Sequence, residues 1–221
     1  MSGSKTDVIK RIEETKLIVI LRGIPAEKLL PVAEALVRGG VGVMEVTYTF
    51  GAPGTDPETA EKIRLLTAHF GDRLAVGAGT VTTAEQVRLT KEAGGTLIIS
   101  PNFDPTVVAE TNRVGLVSIP GAFSPTEVVM AHNAGADFVK LFPTGTLGVD
   151  YVKALLAPLK GIRLMAVGGV DSASVGAYLK AGACGFGVSS AIVSHADVEA
   201  GDYDAIARKA RAFVDAIRQH G

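Results

Sequence analysis

The sequence predicts an α/β fold, a (β/α)8 TIM barrel with an N-terminal helix, and three observations point to it. Eight short apolar runs recur along the chain, a longer stretch with helical periodicity follows each of them, and glycines stand where those helices have to stop. The runs cover 17–21, 43–47, 74–78, 96–100, 115–119, 137–141, 163–167 and 184–188. They are almost continuously apolar, as strands of a parallel sheet are when helices cover it. An amphipathic mixed-charge segment precedes the first run, and helical patterns over 26–38, 57–69 and 83–93 separate the next three. Ser124-Pro125-Thr126-Glu127 has the form of a capping box with a first-turn proline, and 203–214 reads as the closing helix. Gly39-Gly40, Gly94-Gly95, Gly135 and Gly182 stand before strands as helix stops. The longest irregular connection, 50–57, follows the second run and reads as a loop at the site. An open doubly wound sheet shares this alternation, but its Gly-x-Gly-x-x-Gly marker after the first strand is missing.

The chain has 221 residues, 47% hydrophobic and 20% charged, and residues 1–221 read as one domain. With a net charge of −1 and both signs interspersed, it offers no field for nucleic acid or anionic lipid. No apolar run reaches the roughly 20 residues of a membrane helix, and Met1–Asp7 holds no apolar signal core. The one cysteine, Cys184, reads as a buried structural thiol. A cytoplasmic protein with neither nucleic-acid nor membrane partners is the expectation.

Polar residues at the ends of apolar strands carry the functional reading, because barrel chemistry gathers at the carboxyl ends of the strands. Arg22, Glu45, Thr47, Thr80 and Lys140 each follow inward positions on a two-residue period. Lys140 stands among Phe138, Val139, Leu141 and Phe142, where desolvation lowers an ammonium pKa and frees amine for attack on a ketone. The competing reading is a lysine that reaches solvent or pairs with Glu45. Glu45 is either a proton shuttle raised toward neutrality or a buried partner for Arg22 or Lys140. Arg22 either binds a substrate anion or neutralises Glu45. The loops after the last two runs carry Gly168, Gly169 and Ser189, the usual barrel position for a phosphate. His69, His132, His195 and His220 are scattered through helical or terminal segments, and no group has metal-ligand spacing. Nothing supports a hydrolase elbow or a nucleotide loop.

Taken jointly, Ile20-Leu21-Arg22-Gly23, Met44-Glu45-Val46-Thr47, Gly77-Ala78-Gly79-Thr80-Val81, Ser100-Pro101, Pro120-Gly121, Val139-Lys140-Leu141-Phe142-Pro143 and Gly168-Gly169 resemble the 2-keto-3-deoxy-6-phosphogluconate (KDPG) / 4-hydroxy-2-oxoglutarate (KHG) aldolases of the Entner–Doudoroff type. The resemblance implies a pyruvate-dependent class I lyase with no metal or other cofactor, Lys140 forming an imine and Glu45 moving protons. It also implies that Arg22, Thr47 and Thr80 place the substrate, Pro101 and Phe142 line the pocket, and Gly168, Gly169 and Ser189 hold a distal phosphate. A small keto acid is the implied partner and a homotrimer the implied assembly. Three departures bear on substrate: Thr49 where many members carry arginine, Val167 where a threonine is common, and Pro143-Thr144-Gly145 after the lysine. The Val-Gly-Gly variant also resembles the branch acting on the galactonate epimer, 2-keto-3-deoxy-6-phosphogalactonate (KDPGal). The alternative of another class is a non-catalytic barrel serving as scaffold or sugar-acid-phosphate binding module.

Overall fold

In the computed structural model, residues 4–221 are described; Met1, Ser2 and Gly3, at the head of the stretch read as leading into the first helix, lie outside the described residues. Helix α1 (Lys5–Thr15) opens with a capping box in which Ser4 and Asp7 exchange hydrogen bonds. Its buried face, Val8 and Ile12, then meets the sheet.

Strands and helices alternate from there. The first half comprises β1 (Leu17–Leu21), α2 (Ala26–Arg38), β2 (Val43–Thr47), α3 (Asp56–Phe70), β3 (Ala75–Gly79), α4 (Ala84–Glu92), β4 (Leu97–Ile99) and α5 (Pro105–Arg113). The second comprises β5 (Val117–Ile119), β6 (Gly121–Ala122), α6 (Pro125–Asn133), β7 (Val139–Leu141), α7 (Thr144–Leu156), β8 (Leu164–Val167), α8 (Val175–Lys180), β9 (Gly185–Val188), α9 (His195–Ala200) and α10 (Tyr203–His220). All strand pairings are parallel, in the order β5-β4-β3-β2-β1-β9-β8-β7-β6. Because β5 and β6 are consecutive pieces of one strand, the sheet closes through them into the barrel. The eight expected runs become nine strands because Pro120, which has no N–H to donate, interrupts the fifth. Its first piece pairs with β4 and its second with β7, and the Lys140 N–H donates to the Pro120 carbonyl across the junction at 2.9 Å.

The expected helix stops form for a backbone reason. The Val41 N–H closes onto the Leu36 carbonyl and the Gly95 N–H onto Thr90, with Gly40 at φ 94° and Gly94 at φ 84° making the left-handed bend. The capping box of α6 forms as read, Ser124 accepting from the Glu127 N–H while the Glu127 carboxylate accepts from Ser124. The connection after β2 is shorter than the sequence suggests: Pro53–Thr55 winds into a 3-10 turn and Asp56 begins α3. Asp56 is buried and accepts from Gln86 Nε2 at 3.2 Å, while Gln86 Oε1 accepts from the Thr82 N–H at 2.9 Å, which ties the start of α3 to the loop after β3.

Two apolar clusters result. The larger fills the layer between sheet and helices; the smaller lines the barrel interior, with Ile18, Leu97, Ile119, Phe138 and Met165 among its members. Val8 and Ile12 belong to the interior cluster, so α1 plugs the amino end of the barrel. Cys184 packs against this cluster half-buried, more open than the buried thiol expected, and burial pushes its pKa up to about 11. Ile12→Ala leaves a cavity under the barrel floor, and urea unfolding should register a loss of about 2–4 kcal/mol.

Candidate active site

Where the interior packing ends, at the carboxyl ends of the strands, two ionisable side chains stand out of water. Glu45 on β2 is 1% exposed and Lys140 on β7 is 5% exposed. The register of β1 against β2 and of β2 against β3 places Glu45 beside Ile20 and Gly77, so its side chain enters the barrel among aliphatic groups. Glu45 and Lys140 border a residual void of about 10 Å3 whose other walls are Ile18, Ile20, Ile99, Ile119, Met165 and Val167 with Gly187. Carboxyl and amine therefore face one small space.

Neither of the pairing alternatives for Glu45 is realised. Glu45 Oε2 has no hydrogen-bond partner. None of the ion pairs among the described residues includes Glu45, Lys140 or Arg22. Burial pushes the Glu45 carboxyl up to about 7, against the opposing pull of Lys140 and Arg22. Burial likewise lowers the Lys140 pKa, opposed by Glu45 and assisted by Arg22. The Lys140 ammonium lies 5.0 Å from the centroid of the Phe142 ring, near enough for the ring face to attract the charged form.

Space for the Glu45 carboxyl is provided by a missing side chain. A Cβ on Gly79 would overlap the carboxyl group, so glycine at this point of β3 is a packing requirement of the acid. The following residue, Thr80, has φ 56°, a left-handed conformation that costs a β-branched side chain on the order of 1–3 kcal/mol. It leaves the period-two pattern on which it was read as pointing into the mouth.

Above this pair the mouth divides into two cavities that share Arg22, which is exposed. One, of about 370 Å3, is walled by Lys140, Phe142, Gly168, Gly169 and Ser189. The other, of about 390 Å3, is walled by Thr47, Thr49, Thr80 and residues of α3. The first is held in shape by the loops after β7 and β8. Thr144, fully buried, donates to the Leu141 carbonyl at 2.6 Å and accepts from the Val167 N–H at 3.0 Å, and the Gly145 N–H donates to the Gly168 carbonyl at 2.7 Å. A Cβ on Gly168 would stand 3.1 Å from the Phe142 ring. Ser189 Oγ donates to the Ile20 carbonyl at 3.3 Å. Pro101 borders neither mouth cavity; its carbonyl lies against Gly121 at the broken fifth strand.

Two residues at the mouth were not singled out from sequence. His195, grouped there with the scattered histidines, heads α9 and borders the glycine-lined cavity. Lys62 on α3 borders the threonine-lined one. A further cavity of about 310 Å3, near Arg11, Arg64 and Thr67, sits beside α1 at the amino end, away from the buried pair. Among the described residues no group of three or more His, Cys, Asp or Glu could hold a metal ion, and no helix is long and apolar enough to cross a membrane.

The family described as KDPG and KHG aldolase matches residues 8–209. A 2-dehydro-3-deoxy-phosphogluconate aldolase of Haemophilus influenzae is 32% identical, over 99% of this chain and 100% of that one. A 2-dehydro-3-deoxy-6-phosphogalactonate aldolase of Escherichia coli is 34% identical, over 92% of this chain and 95% of that one. Among solved structures, a KDPG aldolase from Legionella pneumophila, with pyruvate captured at low pH as a covalent carbinolamine intermediate, superposes with a TM-score of 0.81 at 25% identity, covering 93% of this chain and 97% of that one.

Unfolding returns Glu45 to water, where its carboxyl titrates near the ordinary 4.5 rather than about 7. Between those values the folded chain holds the extra proton, so Glu45 makes stability fall as pH rises across that window, with no further loss above about 7. Urea midpoints of Glu45→Gln and the parent, taken from pH 5 to pH 8, should diverge with rising pH in favour of the glutamine variant; parallel curves would contradict the burial argument.

Proposed function

The chain belongs to the KDPG and KHG aldolase family, and on that footing we propose that it reversibly cleaves 2-keto-3-deoxy-6-phosphogluconate to pyruvate and glyceraldehyde 3-phosphate, with Lys140 as the imine-forming lysine and Glu45 as the proton carrier. The observation that carries this reading is the unpaired, buried Lys140 and Glu45 facing one space beneath an open mouth. A lowered lysine pKa keeps amine available, and a carboxyl near 7 is present in both forms at neutral pH. The captured pyruvate adduct of the Legionella relative supports the same covalent class for this chain.

The steps follow from that pair. Lys140 Nζ adds to C2 of the keto acid and loses water to leave a protonated imine. Glu45, as carboxylate, takes the proton of the C4 hydroxyl while the C3–C4 electrons move into the imine, which frees the aldehyde and leaves an enamine. The protonated Glu45 returns its proton to C3, and water releases pyruvate and the free lysine. No metal or cofactor enters this scheme. Arg22, Thr47 and Thr80 orient the substrate, Phe142 shapes the pocket, and Gly168, Gly169 and Ser189 receive the distal phosphate. The expected assembly is a homotrimer.

A second reading has its own observation. Val167 puts an aliphatic group beside the glycine pair and Lys140, in place of the hydroxyl common in the family, and this variant resembles the branch acting on 2-keto-3-deoxy-6-phosphogalactonate. Cleavage of 4-hydroxy-2-oxoglutarate to pyruvate and glyoxylate uses the same lysine chemistry without the phosphate.

Borohydride reduction with pyruvate, followed by peptide mapping, should place a stable adduct on Lys140; folded protein without one refutes the assignment. In a pyruvate-release assay the rate should drop as pH falls through about 7, and Glu45→Gln should remove this limb with a loss on the order of 100-fold or more. Comparing the two phosphorylated epimers and 4-hydroxy-2-oxoglutarate in the same assay ranks the substrates, and removal of the phosphate is expected to raise KM.

A further inference from the structure

The threonine-lined half of the mouth contains a charge that the imine chemistry leaves without a task. Its walls include Arg22, Thr47, Thr49 and Thr80 and, from α3, Glu58 and Lys62. Lys62 Nζ lies 2.7 Å from Glu58 Oε1, yet the lysine side chain is only 16% exposed while the glutamate is 65% exposed. A helix surface pair of this spacing ordinarily leaves its lysine in water and contributes a few tenths of a kcal/mol. Here most of the lysine side chain is covered, at the edge of an open cavity rimmed with hydroxyls. Side chains on a helix lean toward its N-terminus, and α3 begins at the carboxyl end of the barrel, so Lys62 leans toward the mouth with Glu58 one turn nearer the opening. The Lys62 bond holds the Glu58 carboxyl below its usual range.

The substrate supplies the matching anion. If Lys140 bonds C2 and the distal phosphate lies over Gly168, Gly169 and Ser189, an extended keto acid directs its C1 carboxylate away from that side. The other side of the mouth, in the cavity that shares Arg22 with that of Lys140, is walled by β2, β3 and α3, and the cation that α3 contributes to it is Lys62. We propose that Lys62 is the positioning residue for the C1 carboxylate, selecting 2-keto acids over neutral ketones, and that Glu58 holds this lysine until a carboxylate arrives. The proposal rests on the Lys140 reading above.

Borohydride trapping tests it with two small ketones, pyruvate and the uncharged hydroxyacetone, using peptide mapping of Lys140 to obtain the half-saturating concentration of each. Lys62→Met should lower the preference for pyruvate over hydroxyacetone about tenfold, and Lys62→Arg should retain most of it. Glu58→Gln, on an exposed side chain, should increase that preference a few-fold by releasing the lysine, and it provides a second test should Lys62→Met fold poorly. A preference equal to the parent's in Lys62→Met, or in Glu58→Gln, overturns the proposal, as does a parallel loss of both ketones. No Lys140 adduct in the parent protein refutes the aldolase reading and this inference together, whereas an adduct whose preference ignores Lys62 refutes this inference alone.

Discussion

A parallel barrel of this width fills its own interior, and the dryness of that interior at its upper end is the constraint on which the site depends. Aliphatic side chains from the strands leave a void of about 10 Å3, and the two groups at its rim that water would otherwise keep fully charged are Lys140 and Glu45. Both are moved toward neutrality by loss of hydration, and each shift is tempered by the other's charge. Had they met in an ion pair, both would be locked in their charged forms; with Glu45 Oε2 unsatisfied, proton exchange near pH 7 stays open. The outer helix layer and the plug formed by α1 serve this end by keeping solvent from the barrel floor.

Much of the geometry is made by what residues lack. Gly79 leaves room for the Glu45 carboxyl, and Gly168 lets the Phe142 ring lie near Lys140. Pro120 has no N–H, so the fifth strand divides its pairing between β4 and β7 at the level of the lysine. Thr80 takes on backbone strain directly after the glycine that receives the acid. Functional groups at the mouth are few, and the backbone around them is correspondingly specific.

The barrel was legible in the sequence because a buried parallel strand writes itself as a short apolar run, and helix stops write themselves as glycine. The runs at 17–21 and 43–47 coincide with β1 and β2, the run at 74–78 is displaced by one residue in β3, and the later runs lose one or two residues, most of them polar or glycine, such as Thr96, Gly115, Asp137 and Arg163. The nearness of Lys140 to Glu45 was legible for a related reason, since a polar residue in such a run has a cost that needs an explanation. What the pattern did not carry was contact between elements of different kinds. Glu58 and Lys62 were merely part of the helical pattern over 57–69, and His195 was one of several scattered histidines, because nothing local says that a helix face meets a strand end. Gly79 was read within a motif, but its lack of a side chain acquires meaning only once β2 lies beside it. The left-handed φ of Thr80 left no trace in residue type.

The plug of Val8 and Ile12 at the barrel floor has a kinetic corollary. With that end shut, Lys140 is reached from above, and it stands at the junction of the filled interior and the open mouth. Whatever is bonded to Lys140 therefore sits beneath its reaction partner. On the proposed imine chemistry the keto acid enters first and the aldehyde second in the bond-making direction, and in cleavage the aldehyde departs before pyruvate is free to leave. The single doorway thus imposes the same order that the proposed covalent bond to Lys140 requires.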